Sequence, residues 1–351
     1  MSLIRRTSDL AAEVASSAES DNVAYVANKG NFEYMISTGS TLLDLAISGG
    51  IVRGGGIPGG IMLELSGPSG AGKTSLMAEM CTSAQSRGGK IKILDPEGRL
   101  NKDYCEKFGL RITPEDYGRP DTVKEVFEII EEDWGVESKP ENKTIDVIGV
   151  DSIAALSTEM EMESEDKMGG KRAKDFSAGL RKTARLIAQN NRIVVFTNQE
   201  RDSMASFGPR RTTPGGMAVK YYASLRIRVS LDKKIERKVK VVKEEKRIIG
   251  IESLCEVIKS SIDEPYRTAP VFIIFNYGID DTRANLQWLK DHSGAEKYGV
   301  VSVQQYVAMN AAIEFYETNP ERILQLKNAV IDLWEEIDEA LKIERKPKSR
   351  F

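Results

Sequence analysis

Eight consecutive residues, Gly67-Pro68-Ser69-Gly70-Ala71-Gly72-Lys73-Thr74, fit the pattern GxxxxGK[ST] at every fixed position. An apolar run at 61–65 leads into them, and a helical pattern over 75–86, starting at Ser75, leads out. Glycines let backbone N–H groups turn inward around phosphate oxygens, and the start of a helix adds its positive end. Lys73 brings a point charge suited to the outer phosphates of a nucleoside triphosphate, and the Thr74 hydroxyl suits Mg2+. The competing reading is a chance glycine-rich turn; a strand before the loop and a helix after it argue against that.

A phosphate loop needs a second acidic group for the metal. Asp151 ends the apolar run 147–150, and the carboxyl ends of such strands face the nucleotide crevice. Thr74 and Asp151 are therefore the candidate metal residues, and Ser152 follows within hydrogen-bonding reach of the same region. Hydrolysis also needs a group to orient and deprotonate water. Glu97 lies just past the run 91–94 and is the best candidate, although an Asp-Pro-Glu triplet also suits an ordinary turn.

These residues need a scaffold, and the sequence describes one. Apolar runs at 61–65, 91–94, 147–150, 193–197 and 225–229 are rich in Val, Ile and Leu without strict alternation. That is the pattern of strands buried on both faces. Helical stretches separate them, which predicts an α/β fold with a doubly wound, mostly parallel sheet. Residues 49–60 are dense in glycine and read as a turn before the first core strand. Residues 1–37 read as a polar N-terminal arm with a short helix over 8–17. Residues 38–280 read as the core, and 281–351 as a small C-terminal domain with helices. In the last, Ile323, Leu326, Val330, Leu333, Ile337 and Leu341 recur at three- and four-residue steps, as on one face of a helix.

Bulk composition mainly excludes. The 351 residues carry a net charge of −3, so nucleic-acid binding would have to rest on local basic patches. Cys81, Cys105 and Cys255 are widely spaced and His292 is the sole histidine, which argues against a zinc site or a disulfide framework. No stretch approaches the roughly 20 apolar residues of a membrane span. The expectation is a cytoplasmic protein without membrane partners.

Further segments narrow the family. Residues 36–46 precede the phosphate loop as Ile-Ser-Thr-Gly-Ser-Thr-Leu-Leu-Asp-Leu-Ala; 150–156 read Val-Asp-Ser-Ile-Ala-Ala-Leu; 196–199 read Phe-Thr-Asn-Gln; and 212–224 contain Pro214-Gly215-Gly216 and Lys220-Tyr221-Tyr222. In order and spacing these resemble the bacterial RecA recombinase family over residues 36–280, with divergence compatible with a viral member. The resemblance implies a DNA-dependent ATPase using ATP and Mg2+. It implies filaments on single-stranded DNA that pair it with homologous duplex DNA, with nucleotide between neighbouring subunits. It gives Tyr104 the role of stacking on adenine, for which a packed helix tyrosine is the alternative, and Gln199 that of sensing the γ-phosphate. It further implies two DNA-contacting loops. The first spans about 157–174, with Lys171, Arg172 and Lys174 and with Arg181 on the following helix. The second spans 200–213, with Arg201, Phe207, Arg210 and Arg211.

The chain also departs from the family. Where members place two lysines that reach the neighbour's γ-phosphate, this chain has Lys259 and Ser261; Lys220 and Arg267 are nearby cations in sequence. Two other readings stay open: a hexameric helicase-type ATPase, and an ATP-binding regulatory or structural assembly protein with little turnover. The short arm speaks against the first and Ser261 speaks for the second.

Overall fold

The computed structural model describes residues 31–132, 144–157, 169–202, 211–212, 216–240, 242–343 and 345. The predicted helix at 8–17, Phe207 and Arg210 lie outside the described residues. The chain opens with β1 (Asn31–Ile36), α1 (Thr41–Ser48), β2 (Ile57–Gly59), β3 (Ile61–Gly67), α2 (Lys73–Ser86), β4 (Ile91–Leu94), α3 (Lys102–Glu106) and β5 (Tyr117–Gly118). It continues through α4 (Val123–Glu132), β6 (Asp146–Val150), α5 (Gly169–Gln189), β7 (Arg192–Gln199), β8 (Arg201–Asp202), β9 (Arg211–Thr212) and α6 (Gly216–Tyr222). It closes with β10 (Leu225–Lys240), β11 (Glu244–Ser260), β12 (Thr268–Ile274), β13 (Gly278–Ile279), α7 (Asp281–Ser293), α8 (Met309–Glu317) and α9 (Pro320–Leu341).

Nine strands form the main sheet in the order β13-β12-β11-β10-β3-β7-β6-β4-β5. Every neighbour from β10 to β5 is parallel, and the three pairings from β10 out to β13 are antiparallel. The five apolar runs became β3, β4, β6, β7 and the start of β10. All seven residues of β3 are buried, as a central strand covered on both faces requires. Alternation sends Ile61, Leu63 and Leu65 to one face, against Leu76 and Met80 of α2 and Leu286 of α7. Met62 turns to the other face, where Val123 and Phe127 of α4, Phe176 and Leu180 of α5 and Val219 of α6 pack. Helices on both faces make the fold doubly wound.

Two segments differ from the sequence expectation. The last residues of the predicted arm form β1, which pairs with β2 inside the glycine-dense stretch 49–60. The run at 225–229 is only the root of a hairpin whose strands span 16 and 17 residues; its outer part is charged and exposed, so apolar periodicity does not reveal it. The predicted C-terminal stripe is α9, whose Leu326 and Val330 join the same cluster as α1 and α2. Charged contacts tie this helix to the sheet domain: Arg53 to Asp332 at 2.6 Å and Glu335 at 2.7 Å, and Arg267 to Asp338 at 2.9 Å.

Candidate active site

The loop between β3 and α2 sits at the carboxyl end of the central strand. Two of its glycines are fixed by their surroundings. Gly67 has φ +154°, and a Cβ there would lie 2.0 Å from the Val229 carbonyl oxygen; Gly72 has φ +91°, and its Cβ would lie 2.2 Å from Ile273 Cδ1. Larger residues would push the loop off β10 and β12. At Gly70, φ is +74° and a Cβ meets nothing within 4 Å, because this part of the loop faces the open cleft. The Ala71 carbonyl is anchored by the Ser253 hydroxyl of β11 at 2.9 Å.

A cleft of about 530 Å³ opens over the loop, walled by Ser69, Gly70, Gly72, Lys73, Thr74 and Ser75. Gly67 and Ala71 are buried, and Pro68 is exposed. Asp95, Glu97, Arg99, Tyr104, Asp151 and Gln199 complete the cleft from β4, α3, β6 and β7. Residues scattered over more than 130 positions therefore meet at one site. Lys73 donates from Nζ to the carbonyls of Gly67 (2.9 Å) and Pro68 (2.7 Å). Burial pushes its pKa down, and Asp151, Glu200 and Glu97 push back up.

Thr74 Oγ1 donates to Asp151 Oδ2 at 2.6 Å, and Thr197 donates to the other carboxylate oxygen. One hydroxyl and one carboxylate side by side, below a loop of backbone donors, are the hard oxygen donors that Mg2+ takes together with phosphates. Glu97 accepts from Ser152 Oγ at 2.9 Å and pairs with Arg99 at 3.2 Å. Asp95 accepts from Tyr117 Oη at 2.9 Å and Leu100 N at 2.8 Å, which braces the turn carrying Glu97. Asn101 caps α3 by accepting from Tyr104 N. That brings the Tyr104 hydroxyl within 3.0 Å of Ser75 Oγ, while its ring meets Phe108 edge-on. Asp95, Arg99 and the apolar wall of Ile251, Ile273 and Phe275 are site residues that sequence reasoning missed.

Lys259 stands apart from this cleft. Its Nζ donates to the carbonyls of Lys220 (2.9 Å) and Tyr221 (2.8 Å), at the end of α6. Burial, followed by Arg226, pushes its pKa down, and Glu64 opposes them. Ser261 is exposed. Arg267 is held by Asp263 and Asp338 and stacks over Trp334, so it is committed within its own chain. Of the candidate DNA residues, Lys174 and Arg181 are exposed on α5. Lys171 and Arg172 lie in the first turn of α5, and Arg201 and Arg211 lie on the paired strands β8 and β9.

The family model for the RecA N-terminal domain matches residues 22–280. Protein RecA of Delftia acidovorans is 33% identical over 308 residues, covering 85% of this chain and 78% of that protein. Protein RecA of Thermus thermophilus is 36% identical over 249 residues, covering 70% and 68%. Protein RecA of Colwellia psychrerythraea is 32% identical over 320 residues, covering 90% and 84%. With the phosphate loop, the strand-end aspartate and the matched length in hand, the chain belongs to the RecA family.

Proposed function

We propose that this chain is a DNA-dependent ATPase that forms filaments on single-stranded DNA and pairs it with homologous duplex DNA. The observation that carries the reading is the Thr74–Asp151 contact of 2.6 Å beneath the glycine loop, with Glu97 and Gln199 on the same cleft. Loop N–H groups and Lys73 hold the phosphates of ATP, and Lys73 exchanges its two carbonyl contacts for phosphate oxygens. Thr74 and Asp151 would hold Mg2+, which when bound would neutralise charge on the outer phosphates. Glu97, oriented by Ser152, accepts the proton of the attacking water. The Gln199 amide donates to the γ-phosphate and releases it after cleavage, which couples nucleotide state to the segment 200–213. Tyr104 offers a ring face for adenine.

DNA contacts come from Lys171, Arg172, Lys174 and Arg181 on the first loop and its helix, and from Arg201, Phe207, Arg210 and Arg211 on the second. Cations neutralise phosphates, and Phe207 wedges between bases. Residues 1–37 serve assembly, 38–280 form the ATPase core and 281–351 a small C-terminal domain. Lys259 serves the nucleotide of the neighbouring subunit, and the protein works in the cytoplasm. A second reading, assembly with little turnover, draws support from the exposed, uncharged Ser261. Steady-state ATP hydrolysis with and without single-stranded DNA tests the proposal. Stimulation that disappears in Lys73→Ala supports it, and equal rates with and without DNA reject it.

A further inference from the structure

Glu64 lies at the centre of the sheet, three residues before the phosphate loop, where the pattern of β3 calls for an apolar side chain. It is wholly buried. Its carboxylate accepts from Asn198 Nδ2 at 2.8 Å and from Arg226 Nε at 2.5 Å. A buried ion pair is often no more stabilising than well-packed apolar residues of the same volume, so packing alone does not account for it. The placement of its partners is informative. Asn198 precedes Gln199, which walls the nucleotide cleft. Arg226 lies directly across from Glu64 on one side and from Lys259 on the other in strand register. Lys259 in turn holds the last carbonyls of α6. One row of side chains thus runs from the phosphate-facing end of β7, through β3 and β10, to the lysine of β11.

We propose that Glu64 is a positioning residue for ATP turnover, which ties Asn198 to Arg226 and thereby fixes where Lys259 stands when it reaches a neighbouring subunit's nucleotide. The assignment rests on the reading of Lys259 as a cation acting in trans. Electrostatics give the coupling its direction. Arg226 repels Lys259 and Glu64 attracts it, so a neutral residue at 64 leaves Arg226 unbalanced beside the lysine. Movement of β7 when Gln199 gains or loses a phosphate contact pulls on Asn198, and the row carries that shift to the interface.

A double-mutant cycle tests this, using Glu64→Gln, Lys259→Ala and the double variant, each assembled on single-stranded DNA. Single-turnover cleavage and nucleotide affinity are the readouts. Glu64→Gln should lower the cleavage rate about 10²-fold, the cost of misplacing a group by about 1 Å, with nucleotide affinity unchanged. In the Lys259→Ala background the same substitution should change the rate less than about twofold, because the residue it acts through is gone. Separate losses that multiply, or weakened nucleotide binding, would overturn the assignment and leave the trans reading of Lys259 intact. Full activity in Lys259→Ala would overturn both. If Glu64→Gln does not fold, Arg226→Lys, which keeps the charge and removes the Nε donor, takes its place in the cycle: a loss that disappears in the Lys259→Ala background supports the assignment, and losses that multiply overturn it.

Discussion

Lys259 is the residue whose removal is most informative. Its ammonium sits on two carbonyls of its own chain at 2.8 and 2.9 Å and is absent from the wall of its own cleft. Leaving those carbonyls forfeits charged hydrogen bonds of about 1.5–3 kcal/mol each. A trans cation on a transferring phosphoryl group contributes about 10³–10⁵ in rate, or roughly 4–7 kcal/mol. Two such bonds come to about 3–6 kcal/mol, comparable to the transition-state gain, and because the lysine is absent from its own cleft turnover should appear only on assembly. We expect Lys259→Ala to lose at least about 10³ in turnover while still binding nucleotide. Ser261→Lys, which adds a second cation on the same edge, should raise the rate or remove a dependence on potassium. The assay is mixing. Lys73→Ala subunits retain Lys259, and Lys259→Ala subunits retain their phosphate loop. In a head-to-tail assembly mixed one to one, about a quarter of the junctions join a good loop to a good lysine and regain activity. No recovery at any ratio, with co-assembly confirmed by sedimentation, would refute the reasoning.

Other expectations follow from the same geometry. Asp151→Asn should abolish Mg2+-dependent hydrolysis, leaving a fold that melts within a few degrees of the parent by circular dichroism. Neutralising Arg201, Arg210 and Arg211 together should flatten the salt dependence of single-strand binding by roughly 0.7 in slope per lost phosphate contact; an unchanged slope in a titration against salt would remove them from the interface. Phe176→Ala, which empties a fully buried site between α4 and the sheet, should cost about 3–5 kcal/mol in urea unfolding. Burial pushes Glu79 up to about 7 and Asp44 up to about 6. Both carboxyls bind protons more tightly when folded, so their stabilisation is complete below about pH 4 and lost as pH rises through 6 to 7. Glu79→Gln should flatten that fall by about 1–3 kcal/mol between about pH 4 and pH 8, read from unfolding midpoints.

The central strands were legible because burial on both faces leaves an unbroken apolar run, and the phosphate loop was legible because its glycines and lysine have few substitutes. Asp151 and Glu97 could be placed from the rule that strand ends face the crevice. The outer part of the β10 and β11 hairpin was not legible: over 231–240 and 242–248 its side chains are largely solvated, so period and polarity carry no strand signal there, whereas the return half of β11 buries Ile251, Ser253, Cys255 and Val257. The glycine-dense stretch hid β2, since a three-residue strand needs no more than the pairing offered by β1. Asp95 was hidden because its role is to brace Glu97 through Leu100 N and the Tyr117 hydroxyl, contacts that only the folded turn creates. Glu64 is one polar letter in an apolar run, and the partners that give it meaning come from two other strands.

The central claim, a nucleotide-dependent assembly on single-stranded DNA, is tested most directly by electron microscopy of the protein with single-stranded DNA and a non-hydrolysable ATP analogue. Continuous helical filaments are expected, which vanish when the analogue is omitted or when Lys73 is replaced by alanine. Closed rings, or particles that do not respond to nucleotide, would contradict it.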